Sequence, residues 1–478
     1  DHFSSLGVTI SATNNTPGHP HKAILFDSLN PTGGDWDLGT PNETFGGPGV
    51  GAGGEAGQPG ENRRPQGKIL IISEDGDPGD PDDNAGGGTL IFTFDREVFL
   101  TSVDILDIDG PGTVATDVAP GQTTLGFMLP YSPLHHLLMQ QLDHPVVLTS
   151  GNAADEPQCI DNQQALDRLA AIADYFLQHN RDIVNRIDDS VVRVIGQQTR
   201  FYRRARGYAP QPLKLPDHWP IKSRVLAAGG ELKNTFCLLK DNRATLSQHM
   251  GNLENSHTYD DYLKNLELYQ RLFQFEPEVI AIDKHPEYLS SKWGRQLAAE
   301  RDLPLVEIQH HHAHIAACLA ENQWSPHQGQ VIGVALDGLG FGDDGTIWGG
   351  EFMLAGYQGY QRLARFKPVA MPGASQAIIE PWRNLLAQLD GHLDWQDVSH
   401  RYRKLELFEY LANKPVDTLR HMISHGTNSP YTSSCGRLFD AVAAAVGLSR
   451  DRISYEGQAA IELEALVDPQ QLQTLSPY

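Results

Sequence analysis

Apolar positions in this chain follow two different periods. In the first 113 residues, short apolar or alternating runs at 23–26, 68–73, 89–94 and 98–108 are separated by clusters of Gly, Pro, Asp and Asn. Alternation punctuated by turn formers predicts strands joined by long loops, hence a small β-sandwich or partial sheet. From residue 118 the texture becomes α/β. An apolar run at 145–149 reads as a buried strand, and Leu166, Leu169, Ala170, Ala173, Phe176 and Leu177 after it share one face of a helix. Residues 210–220 carry four prolines and read as a linker.

Past that linker one local design occurs twice. A strand at 224–228 runs into Gly229 and Gly230 and is followed by a strand at 235–240. A strand at 331–336 runs into Asp337, Gly338, Leu339 and Gly340 and is followed by a strand at 346–354. Two units of strand, glycine turn and strand predict a duplicated α/β fold. Between them come strands at 279–283 and 305–308, and a helix with Tyr262, Leu266, Tyr269 and either Leu272 or Phe273 facing inward.

Composition sharpens the boundaries. A chain of 478 residues exceeds a single core and implies two or three domains. Residues 1–113 hold 18 Asp and Glu against 5 Lys and Arg, a balance of −13 out of −23 for the chain, and 21 of the 46 glycines. The predicted division is therefore 1–113, 114–215 and 222–478. The acidic residues between Glu74 and Asp83 read as a solvated loop, with calcium binding the less favoured alternative. Net negative charge argues against a nucleic-acid partner. No apolar run is long enough for a membrane span, and the N-terminus lacks the pattern of a signal sequence. The four cysteines, Cys159, Cys237, Cys318 and Cys435, form no C-x-x-C pair, so reduced thiols in a cytoplasmic protein are expected. The first residue is not Met, so a segment upstream is expected.

Three clusters carry candidate chemistry. His310 and His314 sit one turn apart if the histidine tract opens a helix, so their rings can grip one metal ion, while His311 and His312 point elsewhere. Asp337, beside glycines at a strand end, offers a third ligand, with a polar helix start bearing surface histidines as the equal alternative. The glycine turns are the second cluster, since backbone N–H groups without a neighbouring Cβ can surround phosphate. There Gly229, Gly230, Lys233 and Asn234 face Gly338 and Gly340 across one predicted cleft, with Lys233 neutralising a phosphate and Asn234 adding a hydrogen bond. The third cluster is Ser150, Asn152 and Arg206, whose hydroxyl, amide and guanidinium suit a nucleotide phosphate or a carbamoyl oxygen, with a turn and a solvated basic patch as the plain alternatives.

The wording of these segments resembles that of a known family. APGQTTLGFMLPYSPLHHLL (119–138), LTSGNAADEP (148–157), RIDDSVVR (186–193) and RRARGYAP (203–210) resemble the second half of the YrdC-like domain of HypF. The Gly229 turn, DKHPEYL (283–289), the histidine tract, LDGLG (336–340), EPWR (380–383), SSCGRLFDA (433–441) and YEGQAA (455–460) resemble its Kae1-like domain. The resemblance implies a partial YrdC-like α/β domain and a duplicated actin-like ATPase domain behind a β-rich segment. It implies a carbamoyltransferase of [NiFe]-hydrogenase maturation, which makes carbamoyl adenylate from ATP and carbamoyl phosphate and passes the carbamoyl group to the C-terminal cysteine of HypE. It also implies iron or zinc on His310, His314 and Asp337, and magnesium with the ATP. The cysteine-rich zinc modules, the acylphosphatase-like domain and the glycine-rich C-terminal part of that family are not in this sequence, so an incomplete enzyme without the full transfer activity is expected. Threonylcarbamoyl transfer to tRNA, and a secreted β-rich binding protein with a non-functional tail, are the alternatives.

Overall fold

The computed structural model describes residues 8–14, 20, 22–27, 68–72, 88–94, 118–119, 122, 124–142, 146–153, 156–195 and 198–467. They fall into two compact units, residues 1–149 with 192–200 and residues 150–191 with 201–478.

In the first unit β1 (Val8–Asn14) pairs antiparallel with β4 (Gly88–Phe94), and β2 (Ala23–Asp27) pairs antiparallel with β3 (Lys68–Ile72). Three of these follow the predicted runs, and β1 is additional. The run at 98–108 and the acidic residues from Glu74 to Asp83 lie outside the described residues. β5 (Val191–Ile195) and β6 (Gln198–Arg203) pair with each other.

Of residues 114–215, 150–191 and 201–215 belong to the second unit. Specific contacts hold them there. The Arg186 guanidinium pairs with the Asp261 carboxylate, the Asn185 amide donates to Asn265 Oδ1 at 2.8 Å, and Lys264 Nζ donates to the Val184 carbonyl at 2.8 Å. Two expectations in this segment fail. Residues 146–149 form no strand, and Val147 and Leu148 are exposed, since no neighbouring strand pairs with them among the described residues. The helix covers only Asn162–Leu169, and Ile172, Tyr175 and Leu177 beyond it are exposed. An amphipathic helix is stable where its apolar face is packed, and here Leu169, Ala173 and Phe176 are half-buried while Leu166, Ala170 and Leu177 stay exposed.

The C-terminal part shows the predicted duplication. Its first sheet has the order β12-β11-β8-β9-β10-β7, built from β7 (Leu213–Lys214), β8 (Val225–Ala227), β9 (Cys237–Lys240), β10 (Arg243–Leu246), β11 (Val279–Asp283) and β12 (Leu305–Ile308). β8, β9 and β10 form an antiparallel meander, while β11 pairs parallel with β8 and β12 parallel with β11. The proline-rich linker thus supplies the edge strand β7. Helix Ser256–Leu272 covers this sheet, burying Tyr262, Leu266 and Tyr269, and Phe273 rather than Leu272 completes its inner face.

The second sheet opens on a matching meander of β13 (Val331–Phe341), β14 (Ile347–Gly356) and β15 (Gly359–Arg365), with β16 (Val369–Ala370) and β17 (Tyr431–Thr432) beside it. The glycine turn of this half is not a hairpin. β13 continues through it, and the register shifts between Leu336 and Gly340. Such an irregularity re-aims a side chain out of the ladder, here Asp337. Helix His310–Glu321 packs on β13, where a Cβ at Gly333 would stand 2.4 Å from Ile315. Among the described residues no helix is long and apolar enough to cross a membrane.

Candidate metal centre

Three element ends converge at one point. β11 ends at Asp283, helix His310–Glu321 begins just after β12, and the irregularity in β13 presents Asp337. Gln309 caps the helix, its side chain accepting the His312 N–H at 2.9 Å, so the histidine tract does open a helix. With 3.6 residues per turn, His310 and His314 then fall on one face, their Nε2 atoms 3.2 Å apart. Asp337 Oδ2 lies 3.3 Å from His310 Nε2 and 3.9 Å from His314 Nε2. One ligand atom from each of His310, His314 and Asp337 lies within 4.8 Å of the others.

The surroundings suit a cation. Asp283 Oδ2 is 2.7 Å from His310 Nδ1, which turns Nε2 toward Asp337. Asp337 Oδ1 accepts the Gly338 N–H at 2.6 Å, but Oδ2 is buried with no hydrogen-bond partner among the described residues. A buried carboxylate oxygen left unpaired is costly, and an ion held with the two Nε2 atoms would satisfy it. Burial opposes charge on His310, yet the hydrogen bond to Asp283 and the charges of Asp283 and Asp337 outweigh it and raise its pKa to about 9. Burial and the charge of His310 hold His314 below its ordinary value. Burial would raise Asp337, but His310 and His311 beside it drive its pKa far below the carboxylate range. Two imidazoles and one carboxylate are the ligand types of zinc and non-haem iron sites, so the residues present fit such an ion.

His311 departs from expectation. It does not point elsewhere but is fully buried, with Nε2 3.4 Å from Asp337 Oδ2. The reason lies in β13, whose irregularity brings Asp337 across two rings of the helix instead of one. His312 does turn away, its Nε2 2.7 Å from the Gly356 carbonyl.

The two glycine turns flank His310, since Cβ atoms placed on Gly230 and Gly340 would lie 4.0 Å and 3.0 Å from its ring. Their individual roles differ from the sequence reading. At Gly340 a Cβ would stand 2.3 Å from the His311 ring, so this glycine makes room for imidazoles and has no free face for a nucleotide. Gly229 has φ +79°, and a Cβ there would meet the Thr235 carbonyl at 2.3 Å. Asn234 is buried, and its amide donates to the carbonyls of Ala228 at 3.1 Å and Gly230 at 2.5 Å, so it shapes the turn from inside and has no amide proton left for a phosphate. Lys233 is exposed at the rim, with Nζ 3.0 Å from Glu456. Around Gly338 a Cβ would meet nothing within 4 Å, and helix Cys435–Ala445 starts against it, where a Cβ placed on Gly436 would lie 3.0 Å from the Gly338 Cα.

Of the upstream candidates, Ser150 is exposed, the Asn152 amide donates to the Ala153 carbonyl at 2.9 Å, and the Arg206 guanidinium pairs with Asp189. Sequence reasoning missed Asp283, Gln309 and His311. A carboxylate closing a buried strand was the available signal for Asp283; nothing local marks the other two.

Comparisons with known proteins match three stretches of the chain to known families. Residues 333–478 match the family described as "Carbamoyltransferase, Kae1-like Domain, second subdomain", residues 220–321 the "HypF Kae1-like domain", and residues 105–205 the Sua5/YciO/YrdC family. The carbamoyltransferase HypF of Rhodobacter capsulatus is 44% identical over 355 residues, which are 74% of this chain and 46% of that protein. A crystal structure of full-length HypF in the phosphate- and nucleotide-bound form superimposes with a TM-score of 0.66 at 44% identity, covering 73% of this chain and 53% of that one. HypF of T. kodakarensis superimposes with a TM-score of 0.68 at 33% identity, covering 77% and 47%. The chain thus spans about half the length of these relatives. Matched in order across its YrdC-like and Kae1-like parts, the chain belongs to the HypF family.

Proposed function

We propose that this chain acts, as part of a cytoplasmic [NiFe]-hydrogenase maturation enzyme, in forming carbamoyl adenylate from carbamoyl phosphate and ATP and in passing the carbamoyl group to the C-terminal cysteine of HypE. The observation that carries this reading is the His310, His314 and Asp337 cluster set between two glycine turns in a fold of the HypF family. Bound iron or zinc would supply a Lewis acid that polarises a phosphate or carbamoyl oxygen.

Each residue has a separate task in this scheme. His310, His314 and Asp337 hold the ion, and Asp283 orients His310. Gly230 and Gly338 let the nucleotide, carried with magnesium, approach the backbone, and Lys233 exchanges Glu456 for a phosphate oxygen. Helix Cys435–Ala445 directs its N-terminal dipole toward the same anion. Ser150, Asn152 and Arg206 serve the adenylation step upstream, Arg206 leaving Asp189 for the nucleotide. In the transfer the HypE thiolate attacks the carbamoyl carbon, a C–S bond forms, the C–O bond to the adenylate breaks, and AMP leaves. The protein's share is largely orientation, because reacting atoms must be held at about 3 to 3.5 Å.

The test is carbamoyl-phosphate-dependent exchange of labelled pyrophosphate into ATP, together with carbamoylation of a HypE C-terminal peptide. Both are expected from the maturation enzyme that contains this chain, and the full transfer activity is not expected from residues 1–478 alone, which span about half the length of their HypF relatives. Transfer of label to tRNA in place of the peptide would instead show a threonylcarbamoyl-type enzyme.

A further inference from the structure

The orientation of one buried amide fixes the proton of one buried histidine. Gln309 is 2% exposed. Its Oε1 accepts the His312 N–H at 2.9 Å, which identifies the oxygen end of the amide. The nitrogen end, Nε2, lies 3.1 Å from the Phe341 carbonyl and 3.1 Å from His311 Nδ1. An amide nitrogen only donates, so His311 Nδ1 must be an acceptor and carry no hydrogen. The proton of the neutral ring is then on Nε2, which faces Asp337 Oδ2 at 3.4 Å. Neither of these two buried atoms has a hydrogen-bond partner among the described residues. The neighbouring ring is set the opposite way, with His310 Nδ1 against Asp283 Oδ2 and Nε2 turned toward Asp337 and His314.

Resting on the metal reading above, we infer that Gln309 and His311 are positioning residues of the metal centre. Gln309 locks His311 in its Nε2–H tautomer, and His311 steadies the Asp337 carboxylate against the ion held by His310 and His314. A protonated Nε2 has no lone pair to offer, so His311 is not a fourth ligand although it is as near to Asp337 as His310 is. Ligation by His311 would require the Gln309 amide to flip, which would set its NH2 against the His312 N–H, donor against donor.

The test uses the full chain labelled with 15N-histidine. Long-range 1H–15N spectra separate the two neutral tautomers and metal-bound nitrogen, and His311→Phe identifies the His311 signals. In wild type, His311 is expected in the Nε2–H form both without metal and with zinc, while His310 Nε2 and His314 Nε2 take on metal-bound shifts. Gln309→Glu keeps the helix cap but places a second acceptor against His311 Nδ1. It should move the His311 proton to Nδ1 and weaken zinc binding, read by competition with a chromophoric chelator, by about 10- to 100-fold at unchanged stoichiometry. A metal-bound shift at His311, an unmoved tautomer in Gln309→Glu, or unchanged zinc affinity would each overturn the inference. A wild-type chain that binds no zinc or iron would overturn the metal reading itself, and with it the positioning role of His311; the tautomer pattern of the metal-free protein tells the two failures apart.

Discussion

His310 Nδ1 lies 2.7 Å from Asp283 Oδ2, and this contact between a helix start and a strand end decides which nitrogen of His310 remains for a ligand. Outer partners of this kind set both the tautomer and the aim of a metal-binding imidazole.

Metal content should depend on the two aligned rings. His310→Ala and His314→Ala are each expected to lower zinc or iron affinity more than tenfold, measured by equilibrium dialysis and elemental analysis. His312→Ala, whose ring faces the Gly356 carbonyl, should keep the metal. Equal loss in all three variants would count against the assigned triad.

The two glycines of the β13 irregularity should respond differently to the same substitution. In Gly340→Ala the added methyl meets the His311 and His310 rings, so a stability loss of about 1 to 3 kcal/mol, as for overpacking, and weaker metal binding are expected. In Gly338→Ala the methyl meets nothing within 4 Å, so the melting temperature should hold while nucleotide affinity falls. Thermal melts and nucleotide titrations check both.

Two ion pairs of unequal exposure should differ in the same direction. Arg186 and Asp261 have side-chain exposures of 14% and 13%, whereas Lys233 and Glu456 have 61% and 59%. Arg186→Ala is expected to cost about 1 to 3 kcal/mol, between the exposed and fully buried cases, and to loosen residues 184–190. Lys233→Ala should change stability by less than about 1 kcal/mol. Denaturant titration separates the two, and a nucleotide titration should show the larger effect for Lys233.

Acid should release the same segment. Burial works to raise the Asp188 pKa, but the hydrogen bond and charge of His249, with help from Arg203 and Gln158, leave it below the ordinary 3.8. A carboxylate depressed on folding contributes stability that is present above its unfolded value and lost as pH falls through the folded value. Hydrogen exchange at residues 185–190 should therefore be indifferent to pH between about 5 and 7, after correction for intrinsic rates, and rise below about 4. Asp188→Asn should show the raised exchange already at neutral pH.

The sequence by itself determined the elements whose period and packing agree. The meanders at 224–240 and 331–354, the helix carrying Tyr262, Leu266 and Tyr269, and the pairing of His310 with His314 were all legible, because helical and strand periods fix which side chains share a face. The choice between Leu272 and Phe273 was open, since both lie at the helix end and only the neighbouring core selects one.

The tertiary structure alone decided the rest. The runs at 146–149 and 170–177 have the right pattern but, among the described residues, too little surface to pack against, and pattern without a partner does not hold an element. Asp283, His311 and Gly340 became visible only when β11, helix His310–Glu321 and the irregular strand β13 met. Their chemistry comes from contacts between residues 26 to 30 positions apart, and from the removal of water around them, neither of which is written in local spacing.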